Sequence, residues 1–252
     1  MIPVYDAYDI REAINERVGH TKPWKVIVNT PNGLESYIVK LYTTNQIDTL
    51  DCVTSEIICN KLSSQFDLIS PACAFIDIKE EHTWNLTPAM QQQFIDADPR
   101  LKFATKEIIS NSYISGLSKA FITKRISIDT LYAFDNLIRN ADRGQHKPNL
   151  QIADKFAFLI DHEFALKNQD ITNIDLNVMQ LEDKFTKYHL FYQFLHRSNK
   201  SVKNQYFNEF EEYMKFLNLS NLRAIFNQLD NIGYVPNVQN INNWLNTVKN
   251  NS

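Results

Sequence analysis

The sequence predicts a mixed α+β chain, rich in strands as far as Ile109 and mainly helical from Asn111 onward. Short runs of β-branched and aromatic residues fill the first part, whereas apolar residues in the second recur at helical spacing. Asn32-Gly33 lies between two of the strand-like runs, the strongest short-range signal for a hairpin.

Taken in order, Tyr8 to Val18 reads as a short helix or a strand leading into one. Trp24–Val28 and Leu34–Tyr42 form the hairpin, and period two puts Ile38 and Lys40 on one face of its second strand. Leu50, Val53, Ile57, Ile58, Leu62 and Phe66 fit a helix, with Glu56 flanking the stripe. Ser70-Pro71 ends the following turn, and Ala72–Ile78 is a strand. Lys79 to Arg100 is polar and irregular, an insertion with a helix near Pro88–Ile95, and Leu101–Ile109 returns to a strand pattern. Ser127 is an N-cap candidate for an amphipathic helix over Ile128 to Ile138, with Ile128, Leu131, Phe134 and Ile138 as its stripe. Leu181, Phe185, Tyr188, Tyr192 and Leu195 continue at helical spacing, as do Tyr206, Phe210, Tyr213 and Leu217, and both stripes are expected in the core. Val238 to Ser252 is Asn-rich and reads as a frayed terminus unless Trp244-Leu245 docks it.

At 252 residues the chain is long enough for one large domain or two small lobes. A hydrophobic share of 44% and a charged share of 22% are those of an ordinary globular protein. The net charge of −3 provides no general basic field, so neither direct nucleic-acid binding nor attachment to an anionic membrane is expected. Cys52, Cys59 and Cys73 form no C-x-x-C pair and read as small buried thiols in a reducing compartment. The N-terminus carries charge at once and no run reaches the length of a membrane span, so a cytoplasmic location is expected. None of the histidines has zinc-site spacing, and no nucleophile elbow or Walker loop occurs.

The chemistry is concentrated between Phe134 and Leu166. An apolar helix leads to a polar turn bearing Asp142; Asn149 follows, then a strand, then Asp161 at the strand's end. Phosphoryl transfer of the kinase type needs that order: one carboxylate to orient the attacking hydroxyl, then an amide and a second carboxylate for the metal on the phosphates. Asp and Asn are also common turn residues because they cap nearby backbone N–H groups. Three features favour the functional reading. Asp142 follows a patterned helix, Asn149 sits between Pro148 and strand-like Leu150–Ile152, and Asp161 ends the buried-strand run Phe156–Ile160. One feature departs from the usual kinase spacing. The position five after Asp142, where many kinases carry the metal-binding Asn, is Lys147. Asn149 is the choice here because an apolar residue follows it; Lys147 could instead signal a damaged metal site.

Asn140-Ala141-Asp142-Arg143 with Pro148-Asn149-Leu150, then Ile160-Asp161-His162, resembles the short HipA-like kinase family. That family belongs with the HipA-type bacterial serine/threonine kinases and the phosphatidylinositol kinases. Gly19-His20-Thr21-Lys22-Pro23 resembles the family's loop before its second strand, and Tyr37-Ile38-Val39-Lys40 the strand with the ATP lysine. Glu56 with Leu68-Ile69-Ser70-Pro71 resembles the small-lobe helix and its exit turn, and Tyr188–Tyr192 a late large-lobe helix. The likeness runs from about Gly19 to Leu195.

The resemblance implies a two-lobed protein-kinase-like α+β fold. A single domain over 1–252 would have an N-lobe of about 1–106 and a C-lobe of about 107–252. The nucleotide is expected between them, near the Leu101–Ile109 crossover. The implied activity is an ATP- and Mg²⁺-dependent kinase. Gly19, His20, Thr21, Lys40 and Glu107 would contact ATP, Glu56 would orient Lys40, Asp142 would position the acceptor hydroxyl, and Asn149 and Asp161 would bind Mg²⁺. His162 is expected to hydrogen-bond the site's backbone rather than a metal. The implied acceptor is protein Ser/Thr, with lipids or small molecules open because acceptor choice lives in loops. The alternative is a catalytically weak or inactive pseudokinase, a nucleotide-binding or interaction module, and Lys147 is the residue behind it. A small DNA-binding antitoxin-like partner is implied less directly, since the extra N-terminal module of full-length HipA toxins has no counterpart here.

Overall fold

A computed structural model describes residues 1–14, 23–109, 112–113, 119–171, 178–181, 187–234 and 236–251. Its strands are β1 (Val4–Ala13), β2 (Pro23–Thr30), β3 (Gly33–Lys40), β4 (Cys73–Asp77), β5 (Lys102–Lys106), β6 (Ser112–Tyr113), β7 (Leu150–Ala153) and β8 (Phe156–Leu159). Its helices are α1 (Thr44–Asp48), α2 (Cys52–Ser63), α3 (Pro88–Asp96), α4 (Lys119–Ile122), α5 (Ile128–Leu137), α6 (Asn168–Ile171), α7 (Tyr192–His196), α8 (Lys200–Lys203), α9 (Asn208–Phe216), α10 (Ser220–Asn231) and α11 (Val238–Asn251). The α+β class expected from the sequence holds. The chain divides into two compact units: Met1–Thr54, Pro71–Ile108 and Ala224–Pro236 form the first, and Ser55–Ser70, Ile109–Arg223 and Asn237–Ser252 the second.

The first unit is built on strands that close in the order β1-β2-β3-β5-β4. β2 and β3 are the hairpin the sequence predicts. Thr30 pairs with Gly33, so the loop itself is Pro31-Asn32, and Gly33 supplies the positive φ of 103° that the reversal needs. Alternation along β2 and β3 sends Trp24, Val26, Val28, Tyr37 and Val39 into a core shared with Ala7, Ile10, Ala74, Ile76 and Ala104. The segment starting at Tyr8 takes the strand alternative of the sequence reading as far as Ala13, and positions 15 to 18 of it lie outside the described residues; β1 is paired antiparallel with β2 and, through Val4–Asp6, parallel with β4. Ala7 and Ile10 reach the core because a bulge shifts the register between them. The insertion carries its helix, α3, where expected, and the Phe94 ring lies 5.0 Å from Trp24.

In the second unit β6, β7 and β8 form a small antiparallel sheet. α5 begins after Ser127 as predicted, but it is not amphipathic: every residue from Thr130 to Leu137 is buried, including Asp135 and Asn136. Phe66 stacks on Phe210 of α9 at 4.9 Å and meets Phe134 of α5 at 5.4 Å. A further expectation is corrected. The helix expected to run through Tyr188 starts only at Tyr192. Leu190 N–H donates to the Arg143 carbonyl (2.8 Å) and His189 forms a bridge with Gly144, so these backbone groups are spent outside a helix. For the C-terminal segment the docking alternative holds: α11 buries Ile241, Trp244, Leu245 and Val248, and the Trp244 indole N–H donates to the Leu137 carbonyl at 2.7 Å. Cys52, Cys59 and Cys73 are buried thiols outside any disulfide, as expected. No helix among the described residues is long and apolar enough to cross a membrane.

Candidate active site

The site grows from the end of α5. Beyond Leu137 the chain turns through Arg139, at a φ of 53°, and Asn140 N–H closes back on the Asp135 carbonyl at 2.8 Å. The Asn140 side chain then donates to Asp135 Oδ1 and accepts from Asp142 N–H, at 2.9 and 3.2 Å, which mounts Asp142 on the helix end. A tight turn follows, closed by Gly144 N–H donating to the Lys147 carbonyl at 3.1 Å.

Arg143 organises this loop. Its side chain is fully buried and its Nε lies 2.7 Å from Asp135 Oδ2. One terminal nitrogen donates to the Asn149 carbonyl, and the other lies 3.2 Å from His162 Nε2. The fork thus joins α5 to the segments that carry Asn149 and Asp161. His189 Nε2 shares Asp135 Oδ2 at 2.9 Å. Burial pushes the Asp135 carboxyl up, but the Arg143 charge and the His189 hydrogen bond outweigh it and hold it at about 2. Burial lowers the His189 pKa against the opposing pull of Asp135.

Asp142, Asn149 and Asp161 come together. Asn149 Nδ2 lies 3.3 Å from Asp142 Oδ2, while the Lys147 ammonium lies 2.7 Å from Asp142 Oδ2 and 2.9 Å from Asp161 Oδ2. Burial disfavours the Lys147 charge, but Asp161 and Asp142 more than compensate and raise its pKa. Asn149 and Asp161 both adopt left-handed backbone, with φ of 47° and 62°. Asn and Asp tolerate this conformation best among side-chain-bearing residues, and such strain clusters at functional positions. β7 and β8 hold the two in register, since Ile160 N–H donates to the Asn149 carbonyl at 3.1 Å.

Glu56 is buried rather than solvated, and its Oε2 accepts the His162 N–H at 3.1 Å. Glu56, Asp161 and Glu163 each offer an oxygen within 4.8 Å of the others, a donor set a cation could use. The His162 ring meets Arg143 at 3.2 Å and lies 3.8 Å from Glu56. In the first unit, Lys40 lies on the face of β3 opposite the core and is half-buried, with its ammonium 6.0 Å from the Tyr42 ring. Glu107 pairs with Lys25 at 2.9 Å, and its N–H donates to the Ser36 carbonyl. Gly19, His20 and Thr21 lie outside the described residues.

Sequence reasoning missed Asp135, Glu163 and the role of Arg143. The signal for Asp135 was present, a lone acid inside the apolar run Leu131–Ile138. For Glu163 it was an acid two positions after Asp161.

A family model described as HipA-like kinase matches residues 10–230. The chain belongs to the HipA-like kinase family. It is thereby a kinase, a phosphotransferase. Among solved structures, this HipA-like kinase is similar to the Helicobacter pylori proinflammatory kinase CtkA, at 15% identity and a TM-score of 0.49, over 96% of this chain and 90% of that one. No curated protein matches the chain.

Proposed function

We propose that this HipA-like kinase uses ATP and Mg²⁺ and transfers the γ-phosphate to the hydroxyl of a protein Ser or Thr. The observation that carries the reading is the gathering of Asp142 and Asp161 around one cation, the ammonium of Lys147, with the Asn149 amide beside Asp142. Carboxylate and amide oxygens suit a hard divalent ion that also takes phosphate oxygens. The attraction of Lys147 to this spot fits such an ion, and Glu56 and Glu163 add oxygens beside Asp161. In this reading Asn149 and Asp161 hold Mg²⁺, which neutralises charge on the phosphates. Asp142 accepts the acceptor's O–H, aligns its oxygen on the γ-phosphorus and takes the proton as the bond to the ADP oxygen breaks. Lys40 holds the phosphates with Glu56 orienting it, and Gly19, His20, Thr21 and Glu107 complete the nucleotide contacts. The lobes of this kinase-like fold are those of about 1–106 and about 107–252. An antitoxin-like protein partner is part of the same reading and is sought by copurification.

A thermal-shift titration with ATP, with and without Mg²⁺, followed by transfer of radiolabel from γ-labelled ATP to a Ser/Thr-containing protein, tests the proposal. Mg²⁺-dependent stabilisation together with labelled phosphoserine or phosphothreonine is expected. Absence of both overturns it. A second reading, a catalytically weak module that binds nucleotide or a partner, is favoured by the single observation that Lys147 bridges Asp142 and Asp161. Nucleotide stabilisation without transfer is its outcome.

A further inference from the structure

We propose that Lys147 is a tethered competitor for the divalent cation, so that the ion binds Asp161 only when the Lys147 ammonium leaves. The inference rests on the reading that Asp161 holds the ion. Lys147 Nζ stands between Asp142 Oδ2 and Asp161 Oδ2, at 2.7 and 2.9 Å. Without a cation these two carboxylates would face one another across the Asn149 loop with like charge. The ammonium therefore stabilises the ion-free site.

The backbone of Lys147 is pinned by the bond from Gly144 N–H to its carbonyl, whereas its side chain, 29% exposed on a four-carbon stem, is held by its two ion pairs and reorients when they are broken. Mg²⁺ sits about 2.0–2.1 Å from its carboxylate oxygens. An ion on the Asp161 oxygen held by Lys147 would thus stand within about 5 Å of the ammonium, and charges of +2 and +1 at that distance repel by more than about tenfold in binding even at the dielectric of water. Two cations do not share the place. A turn residue of this chain so becomes a gate on metal loading, released when the negative charge of an arriving phosphate draws the ammonium away from the carboxylates.

The test reads metal binding without nucleotide or acceptor. Mn²⁺ is titrated into the full chain and the free ion is measured by electron paramagnetic resonance, for wild type, Lys147→Met and Lys147→Arg. Lys147→Met is expected to bind Mn²⁺ at least about tenfold more tightly than wild type, and Lys147→Arg, which keeps the charge, no more tightly than wild type. Melting temperatures give a second measure. Lys147→Met is destabilised without ion and recovers with Mg²⁺, whereas wild type changes less. Equal or weaker Mn²⁺ binding by Lys147→Met, or no binding by either protein, overturns the proposal. Loss of the kinase reading shows differently: wild type fails to transfer phosphate while Lys147→Met still gains Mn²⁺ affinity.

Discussion

Replacing Asp135 by Asn removes one charge and almost no volume from a site where both partners are fully buried. The carboxylate lies 2.7 Å from Arg143 Nε and 2.9 Å from His189 Nε2, and both the Asp135 and Arg143 side chains are 0% exposed. Loss of the carboxylate leaves the Arg143 guanidinium in a dry interior with only carbonyl and imidazole partners. Breaking a buried pair in this way costs about 3–5 kcal/mol. For a chain of this size each kcal/mol lowers the melting temperature by about 2–4 °C, so Asp135→Asn is expected to melt about 6–20 °C below wild type at pH 7. The assay is thermal unfolding followed by circular dichroism. Arg143→Met in the Asp135→Leu background restores part of the loss, because no charge is then buried alone. The consequence reaches the chemistry, since Arg143 also donates to the Asn149 carbonyl and contacts His162. The surviving folded protein should therefore transfer phosphate more slowly. A stability loss below about 1 kcal/mol, the range of an exposed pair, would refute the claim that this network anchors the loop.

The remaining predictions follow from single contacts. Asp142→Ala should cut turnover by about 10²–10⁴ while ATP binding survives; a folded variant with unaltered turnover ends the catalytic assignment. His189 is held neutral by burial, with a folded pKa below the unfolded value near 6.5, so its contribution to stability is complete above about pH 6.5 and declines as pH falls below it. His189→Gln should flatten the melting temperature between pH 7 and pH 5, and identical slopes in the two proteins would remove the effect; Asp135, held at about 2, acts only in far stronger acid. Trp244→Ala should destabilise by about 3–5 kcal/mol, measured by urea unfolding, whereas a frayed terminus predicts no change. Lys40→Ala should weaken phosphate transfer without lowering the melting temperature, because Lys40 lies on the face away from the core; a variant that unfolds contradicts this.

Local rules made much of this protein legible in its sequence. Period two and the turn at Gly33 specify β2 and β3, helical spacing specifies α2 and α5, and the order helix, Asp142, Asn149, strand, Asp161 marks the reactive segment, because each depends on neighbours a few residues apart. Tertiary contacts decided the rest. The start of β1 became strand because β2 and β4 offered partners for its backbone. Tyr188–Leu190 gave up helix for a bridge to Gly144, and the Asn-rich tail became a docked helix because Trp244 found the Leu137 carbonyl. Asp135 pairs with His189, 54 residues away, and Glu56 accepts the His162 N–H across 106 residues. Burial of those charges is set by which distant groups surround them, which no local pattern encodes. Lys147 shows the division most clearly: its position five after Asp142 is plain in the sequence, but only the folded turn brings its ammonium between Asp142 and Asp161.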